Sequence, residues 1–224
     1  MTRPRSKKWR VEQAAEVTRR LEAEYPEAHI ALRFGSEWEL TVAVILSAQA
    51  TDKKVNEVTE RLFRKYRTVA DYASADPAEF ERDIRETGFF RNKTKHILGA
   101  AQRVLSVYGG EVPHTMAALV TLPGVARKTA NIVLANAAPE AFAADPDAGI
   151  AVDTHVFRLS HLLGLSATKD PEHTETDLMQ VIPRAYWNRI TYLLIEHGRA
   201  VCIARRPKCG ICVLNDICPS AFKG

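Results

Sequence analysis

The sequence predicts an all-α fold, and three observations support that prediction. Apolar residues recur at intervals of three and four along most of the chain, as they do on one face of a helix. Helix start signals precede several of these stripes, and glycines follow several of them. No stretch keeps a period-two alternation of apolar and polar residues for long, so strands are not expected.

Local signals justify the helices in turn. Residues 36–39 read as a capping box, and the Asp-Pro pairs at 76–77 and 170–171 supply an N-cap followed by proline at the first helical position. The glycines at 109–110 and Gly164 end two of the stripes. In chain order, the apolar stripes, runs and start signals that mark the predicted helices lie at residues 11–21, 40–48, 55–62, 77 onward, 97–108, 116–121, 125–136, 156–163, 171 onward and, on a last long helix, 190–194.

One segment interrupts this pattern. Residues 137–149 are rich in Ala, Pro and Asp, which predicts a loop. Glu140, Asp145 and Asp147 make the segment acidic, so we do not expect it to lie on a polyanion. There is no long linker and no internal repeat at a solenoid period.

Composition is that of an ordinary globular protein, with 46% hydrophobic and 26% charged residues. No apolar run approaches the roughly 20 residues that cross a bilayer, and no apolar segment follows the basic N-terminus as in a secretory signal. We therefore expect an intracellular protein without a membrane partner, in the cytoplasm or nucleoid if bacterial. The net charge of +4 is mild, but basic residues cluster at 3–10 and at 199–208. Such clusters favour a polyanionic partner, although a solvated tail and a charged loop explain them equally well.

Four cysteines stand within seventeen residues in a C-x6-C-x2-C-x5-C pattern, and the chain has no others. Four thiolates this close indicate one metal site, either zinc or an iron–sulfur cluster. Two disulfides are disfavoured because nothing marks the chain as secreted. Spacing alone does not choose the metal, and structural zinc is the commoner answer. The cysteines are Cys202, Cys209, Cys212 and Cys218.

Two motifs carry candidate chemistry. Residues 122–130 read Leu-Pro-Gly-Val-Ala-Arg-Lys-Thr-Ala, a tight turn between two helices that predicts a helix–hairpin–helix. Backbone N–H groups at the start of the second helix, with its dipole, can hold a phosphate without reading bases. Residues 152–155 read Val-Asp-Thr-His at a helix start, where Asp153 is expected to be an N-cap. For His155, contact with a phosphate and simple packing both remain open.

Together these motifs resemble the endonuclease III family of the helix–hairpin–helix DNA glycosylase superfamily. The matching segments are residues 46–52, 122–130, 151–155, 197–199 and the cysteine pattern. The resemblance covers residues 10–218, in the expected order. It implies two α-helical domains with a DNA cleft between them: a six-helix domain over residues 30–147, and an iron–sulfur cluster domain made of residues 1–29 and 148–224. It also changes the predicted metal from zinc to a [4Fe–4S] cluster on the four cysteines.

The resemblance further implies a bifunctional DNA glycosylase and abasic-site lyase of base excision repair that removes oxidised pyrimidines from damaged double-stranded DNA. We expect it to act as a monomer. Lys128 matches the family's nucleophile, which forms a Schiff base and then a β-elimination product. Its amine must be neutral to attack, so burial or a nearby cation such as Arg127 is expected to lower its pKa. Asp153 matches the family's catalytic carboxylate.

Further residues match DNA-contacting positions of the family. Gln49 corresponds to the glutamine that fills the gap left by the flipped base, and Phe89 stands where an aliphatic wedge is usual. Of Phe89 and Phe90, one is expected to pack and the other to wedge. The predicted DNA-binding set is Gln49, Phe89, Arg91, Gly124, Ala126, Arg127, His155, Arg205, Arg206 and Lys208.

Two departures from the family pattern stand out. Ala126 replaces the second glycine of the hairpin, which would strain the backbone if φ there is positive. The segment 137–149 is longer than usual. The alternatives are a monofunctional mismatch glycosylase, which would lack Lys128, and a non-enzymatic helix–hairpin–helix DNA-binding module, which would not require Lys128 and Asp153 together.

Overall fold

The computed structural model describes residues 6–223, and these residues form helices and irregular connections without a strand. The predicted all-α class is confirmed. Arg3 and Arg5 of the basic N-terminal cluster lie outside the described residues. No helix in the described part of the chain is both long and apolar enough to cross a membrane.

The chain divides into two compact units. One unit is Ala31–Ala148, and the other joins the described residues up to Ile30 to those from Gly149 onward. The first unit contains α2 (Glu37–Leu46), α3 (Asp52–Lys65), α4 (Val69–Ala73), α5 (Pro77–Ile84), α6 (Phe90–Tyr108), α7 (Met116–Leu119), α8 (Arg127–Ala137) and α9 (Pro139–Ala144). The second contains α1 (Lys7–Glu24), α10 (Thr154–Leu162), α11 (Pro171–Met179) and α12 (Trp187–Ala200).

Helix α2 is the centre of the continuous unit. Eight of its ten residues are buried, and it packs against α3, α6 and α8. A helix that is apolar on all sides belongs inside a core, since every face then gains from removal from water. Because α2 is buried, it gives a rigid base for α8, which packs against it, and for the residues that follow Leu46.

In the discontinuous unit, α1 packs against α12, and α10 packs against α11 and α12. The buried Gln13 amide joins α1 to the C-terminal segments by donating to the carbonyls of Leu163 at 3.3 Å and Ile217 at 3.0 Å. Arg20 adds an ion pair with Asp216. The N-terminal helix is therefore bound to the segment that carries the cysteines.

Several predicted helix start and stop signals are confirmed, although most helices extend beyond the apolar stripes that predicted them. Asp76 and Asp170 are N-caps with proline at the following position, and Gly109 and Gly164 have φ values of 64° and 73°. The capping box at 36–39 forms in part: the Ser36 hydroxyl accepts from the Glu39 N–H, but the Glu39 carboxylate accepts from the N–H of residue 35 instead of residue 36.

The predicted loop over residues 137–149 is wrong in its middle, where α9 forms. Pro139 occupies the first turn of this helix, a position that tolerates proline because its N–H would lack a partner there in any case, and the alanines that follow favour helix. After α9, the Asp145 carboxylate accepts from the backbone N–H of Met116 at 2.6 Å. Asp145 therefore supplies a hydrogen-bond acceptor to the first residue of α7, the helix that leads into the hairpin.

Candidate DNA-binding groove and cysteine cavity

The predicted hairpin is present between α7 and α8. The Val125 N–H donates to the Leu122 carbonyl at 3.0 Å, and Gly124 has a φ of 79°. A Cβ at Gly124 would lie 2.7 Å from the Cβ of His96 on α6. Glycine is therefore needed here for two reasons, its left-handed backbone and the close approach of α6.

Ala126 is the N-cap of α8, with φ −83° and ψ 170°. This is extended backbone that any residue adopts, so the alanine does not strain the turn as a positive φ would have done. Ala126 contributes no side-chain cap hydrogen bond. The backbone N–H groups at the positive end of α8 therefore receive no acceptor from the side chain of the N-cap residue.

Lys128 is the second residue of α8, directly after the hairpin, and its side chain is exposed. The burial that was expected to act on its amine is therefore absent from this structure. The neighbouring Arg127 is half-buried and has an interaction partner within the chain.

An open groove of about 590 Å³ brings four of the predicted DNA-contacting residues together within the Ala31–Ala148 unit. Its lining comes from the C-terminal end of α2 and the turn that follows, from the first turns of α6, and from the hairpin. The predicted members are Gln49, Phe89, Gly124 and Ala126, and Lys93 and His96 also line the groove. Arg91 is exposed nearby on α6 but is not among the lining residues.

Gln49 and Phe89 share an unusual backbone conformation. Their φ values are 56° and 48°, in the left-handed region that non-glycine residues rarely occupy. Gln49 is exposed, and Phe89 is 62% exposed. Phe90 is half-buried, with the guanidinium groups of Arg85 and Arg91 each 5.8 Å from its ring centroid. Phe89 is therefore the phenylalanine that is available for an external contact.

Asp153 belongs to the other unit, where it is the N-cap of α10. Its Oδ1 accepts from the Val156 N–H at 2.8 Å, which confirms the predicted cap. His155 lies against Gly198 of α12, where a Cβ would approach its Nδ1 to 2.6 Å. That nitrogen is buried and has no hydrogen-bond partner among the described residues. His155 therefore packs tightly while one of its polar atoms stays unpaired.

All four cysteines are free thiols that line one cavity of about 380 Å³. No three His, Cys, Asp or Glu side chains among the described residues converge closely enough to hold a single metal ion. The four cysteines line one cavity, and cysteine thiolates are the ligands of iron–sulfur clusters, so the residues present fit such a cluster.

The polar surroundings of these thiols come from α10 and α12. The Arg158 guanidinium donates to the Cys202 carbonyl at 2.6 Å and lies 3.6 Å from its sulfur. The Nε2 of His197 lies 3.4 Å from the Cys212 sulfur, and its Nδ1 lies 3.1 Å from the Tyr25 hydroxyl. Burial, with a smaller contribution from Arg158, lowers the pKa of His197 to about 4, so its imidazole is neutral at pH 7.

Burial raises the pKa of the Cys212 and Cys218 thiols. Thiolates at these positions therefore need a positive partner, which bound iron supplies. Between the first two cysteines, Arg205 and Arg206 are exposed, whereas the Lys208 ammonium donates to the Ala200 carbonyl at 3.1 Å. Lys208 is thus engaged in closing this loop on the end of α12.

Sequence reasoning missed the roles of Lys93, Arg158 and Tyr25. A lysine within an amphipathic helix gives no local signal that it is buried, and Lys93 is only 4% exposed. Arg158 and Tyr25 stand 44 and 187 positions before Cys202 and Cys212, so no short motif joins them to the cysteines.

Two protein families match the sequence of this chain. Residues 42–184 match the HhH-GPD superfamily of base excision DNA repair proteins, and residues 202–218 match the iron–sulfur binding domain of endonuclease III. Endonuclease III of Synechocystis is 49% identical over 210 residues, which cover 94% of this chain and 93% of that protein. The chain therefore belongs to the endonuclease III family.

Solved structures agree with this assignment. A non-covalent endonuclease III–DNA complex and a trapped endonuclease III–DNA covalent intermediate each have a TM-score of 0.88 and 39% identity, covering 95% of this chain and 97% of the matched chain. The protein is a bifunctional DNA glycosylase and abasic-site lyase of base excision repair, with a [4Fe–4S] cluster.

Proposed function

We propose that Lys128 is the nucleophile of this enzyme and that oxidised pyrimidines in damaged duplex DNA are its substrates. The observation that carries the proposal is the position of Lys128 at the start of α8, immediately after a hairpin that borders the groove containing Gln49 and Phe89. An exposed lysine next to a phosphate-binding turn has free access to the sugar of a nucleotide held there. The trapped covalent intermediate of an endonuclease III fits a covalent mechanism of this kind.

The chemistry uses one amine for two steps. The neutral Lys128 amine attacks C1′, the bond from C1′ to the base breaks, and the base leaves with the electron pair and takes up a proton. Ring opening gives an imine between C1′ and Nζ. The protonated imine acidifies the C2′ proton, and loss of that proton expels the 3′ phosphate. Base removal and strand cleavage thus follow from a single residue.

We assign Asp153 the carboxylate role in this reaction. Its carboxylate would stabilise the positive charge that develops on the sugar and assist proton transfer to and from the lysine. The cap bond to Val156 engages only Oδ1 in the contacts described, and it fixes the direction of the side chain. A rigidly held carboxylate needs little reorganisation when charge develops nearby.

DNA is expected to be held mainly through its phosphates. The start of α8 at Gly124 and Ala126 would take one phosphate, and exposed or partly exposed basic residues would contact others. The proposed basic contacts are Arg91, Arg127, His155, Arg205, Arg206 and Lys208. Gln49 would fill the space left by the extruded nucleotide, while Phe89 would act as an apolar wedge between base steps.

We propose that the four cysteines ligate the cluster and that the cluster orders the loop carrying Arg205 and Arg206 for DNA. The free thiols around one cavity support this assignment. The cluster takes no part in base removal in this scheme. We expect the protein to act as a monomer, because the two units of one chain supply every proposed residue. We expect it to work where the cell keeps its DNA, in the cytoplasm or nucleoid if the source is bacterial.

The experiment is borohydride trapping on a duplex with one thymine glycol, comparing wild type with Lys128→Gln. A covalent adduct in the wild type alone supports Lys128 as the nucleophile. Base release without trapping would indicate a monofunctional glycosylase with water as nucleophile. Neither release nor trapping would indicate another lesion or a DNA-binding module. Lys95→Gln, which alters an exposed lysine on α6, is the matched control.

A further inference from the structure

Lys93 is a buried lysine within the groove-forming unit. It stands one turn into α6 and is 4% exposed, and its Nζ donates to the carbonyls of Leu46 at 2.8 Å and Thr87 at 2.7 Å. Burial of an ammonium opposes folding unless strong hydrogen bonds compensate for the lost water. Two charge-assisted bonds to backbone carbonyls offset part of that cost.

Each of these carbonyls lies two or three positions before a residue of the groove. Leu46 ends α2, and Gln49 follows three positions later. Thr87 ends the short helical turn after α5, and Phe89 follows two positions later. Lys93 therefore links the backbone segments that present Gln49 and Phe89.

Both presented residues are held in the left-handed region, with φ values of 56° and 48°. Non-glycine residues persist there only where the surrounding structure determines the backbone. The end of α2 also offers carbonyls without helical partners, and an ammonium satisfies one of them with a favourable dipole interaction. Lys93 supplies this constraint from a third element, α6, and lines the same groove.

We propose that Lys93 is a positioning residue that fixes the spacing between the Gln49 turn and the Phe89 loop, so that both side chains enter the duplex together. This inference rests on the proposed function, in which those two residues contact DNA. Lys93 is therefore expected to affect the rate at which a paired, damaged base is extruded and released. It should affect the rate of cleavage at a site that has already lost its base much less.

Three variants separate positioning from other roles. Lys93→Met removes every side-chain N–H donor and keeps an apolar stem. Lys93→Arg keeps the charge and donors on a bulkier head. Lys95→Met changes an exposed lysine on the same helix and serves as the control.

The first measurement is amide hydrogen exchange without DNA. We expect Lys93→Met to accelerate exchange over residues 46–50 and 87–90, while the rest of the unit and the visible absorbance of the cluster stay as in the wild type.

The second measurement is single-turnover kinetics. Release of thymine glycol paired with adenine should fall about tenfold, as for loss of a hydrogen bond to a charged group. Cleavage at a preformed abasic site should change by less than about threefold, because no base has to be extruded.

Several outcomes would overturn the inference. One is an equal fall of both rates in proportion to the folded fraction, which would make Lys93 a core residue only. Another is unchanged exchange and unchanged rates in Lys93→Met. If that variant does not fold, Lys93→Arg is used, and its ratio of release to abasic cleavage must fall; an unchanged ratio contradicts positioning.

Two results distinguish this inference from the proposed function. If borohydride trapping on a preformed abasic site is lost in Lys93→Met but retained in Lys128→Gln, Lys93 is the nucleophile, and both proposals are wrong. If wild-type protein neither releases base nor forms an adduct, the proposed function fails at that stage. The exchange measurement needs no DNA and still reports whether Lys93 holds the two segments.

Discussion

The Oδ1 of Asp153 accepts a hydrogen bond from the backbone N–H of Val156 at 2.8 Å, so the proposed catalytic carboxylate is also the N-cap of α10. The two roles can be separated because asparagine caps a helix about as well as aspartate but carries no charge.

We expect Asp153→Asn to keep the thermal midpoint of the wild type and to lose base release. Asp153→Ala should lose base release as well and should also lower the midpoint by about 2–4 °C, the shift for a cap worth about 1 kcal/mol in a chain of this size. Calorimetry and single-turnover assays on the same preparations test this. An active Asp153→Asn would contradict the catalytic role.

Gly124 and Ala126 provide a matched pair in the hairpin. Gly124→Ala should cost about 1–3 kcal/mol, because its backbone is left-handed and the new Cβ would meet His96. DNA affinity should fall with it as the start of α8 shifts.

Ala126→Gly is the control for that variant. The backbone at Ala126 is extended, and glycine is at least as good an N-cap as alanine, so stability and DNA affinity should stay near wild type. Thermal unfolding and a DNA titration measure both variants. A large gain in affinity for Ala126→Gly would show that the alanine impairs the hairpin after all.

Lys93 makes stability depend on pH. Burial lowers the pKa of its ammonium from 10.5 to about 8, so between these values the unfolded chain binds a proton that the folded chain does not. The contribution of this group to the free energy of unfolding therefore rises with pH through that window, by at most about 1.4 kcal/mol per pH unit.

We expect the wild type to gain stability relative to Lys93→Met as pH rises from about 8 to 10. The difference in thermal midpoint between the two proteins is the quantity to measure, because other titrating groups cancel in it. A flat difference for Lys93→Met would contradict the assigned pKa.

His197 is positioned to donate to the Cys212 sulfur. A thiolate only accepts hydrogen bonds, so the single N–H of the neutral ring must lie on Nε2, and the Tyr25 hydroxyl then donates to Nδ1. His197→Phe removes that donor while filling similar space.

We expect His197→Phe to lose the visible absorbance of the cluster about tenfold faster in a chelator, within the range for loss of a hydrogen bond to a metal ligand. Tyr25→Phe should show a smaller effect, since it only releases the ring orientation. His173→Phe, at an exposed histidine of α11, is the control. Equal rates in all three variants would mean that the His197 contact does not stabilise the site.

DNA affinity should fall steeply with salt, because phosphate contacts release counterions. Arg205→Ala and Arg206→Ala should each reduce the slope of log affinity against log salt by about 1. Lys208→Ala should reduce it less, since the Lys208 ammonium already donates to the Ala200 carbonyl. Titrations at several salt concentrations decide this, and three equal changes would contradict the distinction.

Local signals predicted most of the helices, and the misses have physical causes. Thr68 and Asp71 form a capping box for the short helix α4, which was not predicted because five residues are too few for an apolar stripe. The composition of residues 137–149 predicts a loop because proline and aspartate often end helices, but proline is favoured in the first turn of a helix, and α9 begins at Pro139. The exposure of the Lys128 side chain likewise could not be predicted from the residues next to it in the sequence.

By itself, the sequence determined the all-α class, the hairpin, the capping role of Asp153 and the cysteine pattern, because each depends on residues close together along the chain. Only the tertiary structure decided that Gln49 and Phe89 line one groove, that Lys93 joins their supporting segments, and that His197 meets Cys212. These contacts depend on how helices pack, and packing is determined by the shape and burial of whole faces rather than by local sequence preference.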